Sequence, residues 1–122
     1  WDLKPEPLDK LSPFHPSNIN TYKNVPIKNI PDTESLKDTF VRVIDYYETE
    51  IIKNLSKGNI LISAHGNSIR ALCKYLFKLD KIQISKLEIP TGNPLLINID
   101  KSRNIKSCKY LDQDRAKDLV IF

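Results

Sequence analysis

Apolar residues recur at three- and four-residue spacing through Leu36, Phe40, Val43, Ile44, Tyr47, Ile51 and Leu55. That period predicts a helix over 33–56 with one face buried. Asp32 or Thr33 can serve as N-cap, Pro31 blocks an earlier start, and Gly58 fits a stop after Lys57. Residues 59–64 are short, Ile-rich and apolar on both faces, the pattern of a buried parallel strand in an α/β sheet. A second helix is predicted from about Ser68 to Leu79, with Ile69, Leu72, Cys73 and Leu76 on one face, and 80–87 fits a short third helix. Thr91-Gly92-Asn93-Pro94 is a turn by composition. Residues 95–99 and 105–111 flank a polar turn at 100–104 and predict an antiparallel hairpin. The tail from Asp112 fits a short helix before Val120-Ile121-Phe122.

Residues 1–31 carry no such period. Six of the eight prolines fall there (Pro5, Pro7, Pro13, Pro16, Pro26 and Pro31). Each fixes φ and removes a backbone donor, so this stretch is expected to be irregular and to wrap other structure. No linker divides the chain, which reads as one unit: an irregular 1–31 and an α/β body over 32–122.

At 122 residues, 40% hydrophobic and 28% charged, the chain has the make-up of an ordinary globular domain, or of part of a larger one. Nineteen Lys+Arg against fifteen Asp+Glu leave +4, spread along the chain without a dense basic block. Solvated lysines therefore fit better than a nucleic-acid partner. Cys73 and Cys108 read as two buried thiols rather than a disulfide or metal pair. No apolar run approaches the roughly 18 residues of a membrane span and no leader pattern is present, so no membrane association and a cytoplasmic location are expected. The opening at Trp1, with no methionine anywhere, looks like a cut inside a longer protein.

The chemistry-bearing stretch is Ala64-His65-Gly66-Asn67-Ser68, where the predicted strand hands over to a helix. Ligands of open α/β sheets sit beyond the carboxyl ends of strands. Backbone N–H groups at Gly66, Asn67 and Ser68, with the helix dipole, favour a phosphate or carboxylate there. Gly66 allows close backbone approach, and Asn67 adds a side-chain amide. His65 can donate to a phosphoryl oxygen and, when protonated, stabilise charge developing on it. On pattern alone, a histidine that merely caps the turn is the better reading, because one His-Gly dipeptide is a weak signal.

Little else completes a site. His15, between Phe14 and Pro16, reads as a surface or packing residue. Arg70 lies one turn into the helix, where it could face the same mouth or form a helix-surface ion pair. Glu34, Glu48 and Glu50 read as solvated helix charges. The chain has no Walker-type phosphate loop, no Cys-x-x-Cys and no Gly-x-Ser-x-Gly elbow.

The run from Ser63 to Leu72, continuing through Lys74-Tyr75-Leu76, resembles the second-histidine segment of the cofactor-dependent phosphoglycerate mutases. Pro31-Asp32-Thr33-Glu34-Ser35-Leu36-Lys37-Asp38-Thr39 is similar to a helix start of that family. Leu87-Glu88-Ile89-Pro90-Thr91-Gly92-Asn93-Pro94-Leu95 is similar to its Ile-Pro-Thr-Gly-x-Pro-Leu stretch, and Lys109-Tyr110-Leu111 fits its C-terminal strand. The resemblance implies the C-terminal portion of a three-layer α/β/α fold, with a central strand flanked by helices and a C-terminal hairpin. It implies that His65 is the histidine stabilising the phosphoryl group in transfer, with Gly66 and Asn67 contacting substrate. It further implies interconversion of 3- and 2-phosphoglycerate through a phosphohistidine, priming by 2,3-bisphosphoglycerate, no catalytic metal, and a homo-oligomer in the intact protein.

The departure from the family is large. The phospho-accepting histidine lies in an Arg-His-Gly motif, the acid/base glutamate in a Leu-Asn-Glu-Arg-type stretch, and neither motif occurs here. The resemblance is to the C-terminal half alone, leaving the 59–64 strand with an unpaired edge. Two readings follow. One is a mutase fragment, inactive without its missing N-terminal half. The other is a non-catalytic truncated relative that binds a phosphorylated ligand or a partner protein.

Overall fold

The computed structural model describes residues 1–116. The expected apolar tail at 120–122 lies outside the described residues. Residues 1–31 are irregular, as the prolines dictate, apart from three single 3₁₀ turns at Pro16–Asn18, Asn20–Tyr22 and Ile27–Asn29. His15 caps the first of these, its Nδ1 accepting the Ser17 N–H at 3.2 Å. It is buried rather than on the surface, and its Nε2 faces Asp32 at 3.8 Å.

The first helix starts later than Asp32 or Thr33. Helix α1 spans Leu36–Tyr46, with Ser35 as N-cap in a reciprocal capping box with Asp38. Thr33 donates its hydroxyl to the Pro5 carbonyl instead, and Asp32 faces Lys10 and His15. Glu34 is not merely solvated. Arg42 donates to both its oxygens, at 2.5 and 2.8 Å, and holds its carboxyl below the ordinary range. The helix continues through a π turn, Tyr47–Ile51, into α2, Ile52–Leu55. Within that wide turn Thr49 returns its hydroxyl to the Asp45 carbonyl. Ser56 closes α2 and Gly58 takes a φ of +144°, a conformation open to glycine.

Helix α3, Gly66–Leu76, packs against α1. The Tyr47 and Tyr75 rings meet edge to face at 5.8 Å, and Trp1 meets Phe40 likewise at 5.6 Å. Helix α4, Lys81–Lys86, is capped by Asp80, which accepts from the Ile82 and Gln83 N–H groups. Cys73, Leu79, Ile84 and Leu87 form the buried centre, with Leu36, Ile69, Phe77, Ile89 and Leu95 packed on it. Of the two thiols, Cys73 is buried and Cys108 half-buried, and they are not joined.

Strands β1, Leu95–Ile99, and β2, Ile105–Tyr110, pair antiparallel with Leu95 opposite Tyr110, as the hairpin pattern requires. Asp100 organises the turn by accepting the Ser102 and Asn104 N–H groups, while Arg103 takes a φ of +67°.

The expectation of a strand buried on both faces at 59–64 is not met. Among the described residues the only sheet is the two-stranded hairpin, and 59–64 has no ladder partner. Ile60, Leu61 and Ile62 are 37%, 90% and 40% exposed. The apolar pattern marks a segment suited to burial, but burial needs flanking strands, and the described residues supply none. The remaining helices and hairpin form a partial α/β arrangement of the expected kind. No helix among the described residues is long and apolar enough to cross a membrane.

Candidate functional site

His65 is the N-cap of α3. Its backbone is extended (φ −61°, ψ 146°) and its Nδ1 accepts the Asn67 N–H at 3.3 Å. The two readings left open by the sequence therefore coincide: the histidine caps the turn and also lines a cleft. With Nδ1 accepting, the hydrogen of the neutral ring sits on Nε2, leaving that nitrogen as the donor.

The cap alters the expected donor set. The Ser68 and Ile69 N–H groups both turn back to the His65 carbonyl, at 2.9 and 3.1 Å, and the Asn67 N–H goes to the His65 ring. Of the three backbone donors expected to face a ligand, only Gly66 N–H has no acceptor among the described residues. A Cβ built at Gly66 meets nothing within 4 Å, so open space lies beside this backbone. The close approach anticipated for Gly66 is sterically available.

The cleft has a volume of about 610 Å³ and two walls. One comprises Ala64 to Asn67 with Arg70. The other comprises Ser85, Leu87 to Ile89, and Thr91, from the end of α4 and the segment after it. The second wall is pinned from behind. Tyr110, buried to 1% exposure, donates its hydroxyl to the Glu88 carbonyl at 3.3 Å. Buried Asn93 donates to the Asp112 carbonyl at 2.8 Å and accepts the Asp112 N–H at 3.0 Å. Arg115 donates to the Thr91 carbonyl at 2.7 Å. The turn at 91–94 is thereby held to the chain leaving β2, with Gly92 at a φ of +69°.

Arg70 is a site residue that sequence reasoning left undecided. Among the described residues it forms no helix-surface ion pair. Its Nη1 donates to Asn67 Oδ1 at 3.3 Å and its Nη2 to the Ile84 carbonyl at 2.7 Å, linking the two walls. The helical interval from His65 placed it near the mouth, but nothing in the sequence pointed to a carbonyl on α4. The second wall was likewise read only as a short helix, a turn and a family-like stretch, not as part of a site. His15 stays remote in role, tied to Ser17 and Asp32, and does not line this cleft.

Chemically, the cleft offers the His65 imidazole, the Gly66 N–H and the Asn67 amide as donors, with the Arg70 guanidinium engaged between Asn67 and Ile84. The Glu88 residue lines the opposite wall. Those donors fit a single tetrahedral anion at the start of α3. Two phosphates and a carboxylate on one ligand need more positive charge than this wall carries.

Comparison with known proteins gives the chain a family context. Residues 7–109 match the histidine phosphatase superfamily (branch 1). A protein of Pelagibacter ubique, named 2,3-bisphosphoglycerate-dependent phosphoglycerate mutase, is 66% identical over 100% of this chain and 52% of its own length. Proteins of the same name from Maricaulis maris and Hydrogenobaculum sp. are 45% and 43% identical over 98% of this chain, which covers 50% and 49% of their lengths. The chain spans about half the length of the curated relatives it matches.

Proposed function

Because the chain belongs to the histidine phosphatase superfamily, we propose that its 64–91 cleft is the second-histidine wall of a 2,3-bisphosphoglycerate-dependent phosphoglycerate mutase. In this reading the complete protein interconverts 3- and 2-phosphoglycerate in the cytoplasm. The observation that carries it is the convergence of His65, Gly66 and Asn67 at the start of α3, with the Gly66 backbone open to close approach.

The division of labour follows from the donors. His65 Nε2–H donates to a non-bridging phosphoryl oxygen, and a protonated ring stabilises the charge that grows there during transfer. Gly66 N–H and the Asn67 amide hold the same group in place, lowering the entropic cost of reaction. 2,3-Bisphosphoglycerate, when bound, supplies the phosphoryl group that primes such an enzyme. This wall fits one of its phosphates.

Phosphoryl transfer also needs a nucleophile in line and a proton donor for the leaving oxygen. The chain contains no Arg-His-Gly stretch, and its one further histidine, His15, is engaged with Ser17 and Asp32. The nucleophile, the acid and the remaining cations are assigned to the half of the enzyme that the relatives have beyond this segment. The unpaired 59–64 segment is assigned to a sheet completed by that half. The 122-residue chain alone is therefore expected to turn over nothing.

A titration of 2,3-bisphosphoglycerate into the ¹⁵N-labelled chain tests the site. Shifts concentrated at 64–70 and 85–91, and abolished in His65→Ala, support the reading. Uniform small shifts, or the same shifts in His65→Ala, contradict it.

A further inference from the structure

We propose that Arg70 is a positioning residue that holds the Asn67 amide with its hydrogens toward the cleft and ties the start of α3 to the end of α4. The inference rests on the phosphoglycerate reading only for the identity of the ligand.

A side-chain amide has two nearly isosteric ends, and its neighbours decide which end faces out. Arg70 Nη1 donates to Asn67 Oδ1, so the oxygen is engaged by a cation. The reversed amide would set donor against donor. Nδ2 is left outward, and among the described residues nothing accepts from it. Asn67 thus presents two donors and no acceptor, the polarity an anionic ligand requires.

The other end of the guanidinium fixes where those donors sit. Ile84 is fully buried, and its carbonyl is one of the last four of α4, which lack an intrahelical donor. Arg70 Nη2 supplies that donor at 2.7 Å. A guanidinium is planar, so bonds from two of its nitrogens to partners on different helices set its plane and the separation of the walls. Lysine, with one ammonium on a flexible stem, cannot reproduce both.

A third observation separates this arginine from a solvated helix charge. Its Nε is buried and has no hydrogen-bond partner among the described residues. Leaving a buried donor unsatisfied is unfavourable, and such groups call for a reason beyond packing. Asn67 and Ile84 together provide the reason.

The test uses the 122-residue chain and two readouts. The first needs no ligand: the ¹H–¹⁵N heteronuclear NOE of the Asn67 side-chain amide. It should match that of doubly bonded Asn93 in the parent chain and fall to the value of an exposed amide in Arg70→Gln. Should Arg70→Gln lose its dispersed spectrum, Arg70→Lys carries the same test, with a partial fall expected. An unchanged Asn67 NOE in the folded variant overturns the proposal. The second readout is the Kd for 2,3-bisphosphoglycerate in a double-mutant cycle. Arg70→Gln should raise Kd about tenfold in the parent but less than about twofold in Asn67→Ala, because it acts through that amide. An equal effect in both backgrounds overturns the proposal. If the parent chain binds no 2,3-bisphosphoglycerate, the phosphoglycerate reading fails, and the NOE alone decides the role of Arg70.

Discussion

The His65 ring accepts the Asn67 backbone N–H at 3.3 Å, so the imidazole proposed to meet a phosphoryl group also starts the helix beneath it. The two roles are separable because asparagine caps helices well and carries no imidazole. His65→Ala should cost about 1 kcal/mol of stability through loss of the cap. His65→Asn should recover most of that loss. Both should bind 2,3-bisphosphoglycerate far more weakly than the parent. Urea midpoints and calorimetry on the three proteins check this, and ligand affinity retained in His65→Asn speaks against the imidazole.

Gly66 is the first residue of α3, where no positive φ demands glycine and a Cβ meets open space. Gly66→Ala should therefore leave stability unchanged or raise it by about 0.4–1 kcal/mol, by restricting the unfolded chain. The added methyl instead occupies the space through which a ligand reaches the backbone N–H. The expected pattern is an equal or higher melting temperature with weaker 2,3-bisphosphoglycerate binding. Lower stability would mean the fold needs this glycine for its own sake.

Two carboxylates tie stability to acid pH. Asp38 is lowered to about 2 by the Ser35 N–H it accepts, then by Lys4 and the Ser35 hydroxyl. Asp100 is lowered to about 2 by the Asn104 N–H, then by Lys106. A depressed folded-state value means that the contribution is complete above the unfolded value of 3.8 and lost as pH falls through about 2. Unfolding free energy should thus fall between pH 4 and pH 2. Carboxyl ¹³C titrations should place both midpoints near 2, and midpoints near 3.8 would remove the capping box and the hairpin turn as the cause.

The thiols should differ in reactivity. Burial pushes Cys73 up to about 12, and it is 2% exposed at the centre of the core. Cys108, half-buried on β2, is also raised by burial. A neutral-pH thiol reagent should modify Cys108 first and reach Cys73 only after denaturation. Rapid modification of Cys73 in the folded chain would show that the α3 core opens readily.

Much of the helical order and the hairpin was legible because each rests on local rules. The α1 and α3 periods, the Asp80 start of α4 and the 100–104 turn are set by neighbouring residues. The α1 start moved to Ser35 because its reciprocal bonds with Asp38 outcompete Asp32 and Thr33, which are held by Lys10, His15 and Pro5. The burial of 59–64 was not legible, because a period-free apolar run does not say whether strands flank it, and only its unpaired edge was foreseen. At the site, His65, Gly66 and Asn67 were legible from a strand-to-helix handover and a family resemblance. The diversion of the Asn67 and Ser68 N–H groups into the cap was not. Nor was the bond from Arg70 to a carbonyl fourteen residues on, which depends on how α3 and α4 pack.

Mutase turnover tests the central claim most directly: that this chain carries the supporting histidine and not the nucleophile. The assay follows conversion of 3-phosphoglycerate to 2-phosphoglycerate, primed with 2,3-bisphosphoglycerate. It compares the 122-residue chain alone with the chain plus the remaining half of the Pelagibacter ubique relative. The expected result is no turnover by the chain alone, and turnover with the added half that is lost in His65→Ala. Turnover by the purified 122 residues alone would contradict it and place a nucleophile within this chain, with His15 the first residue to examine.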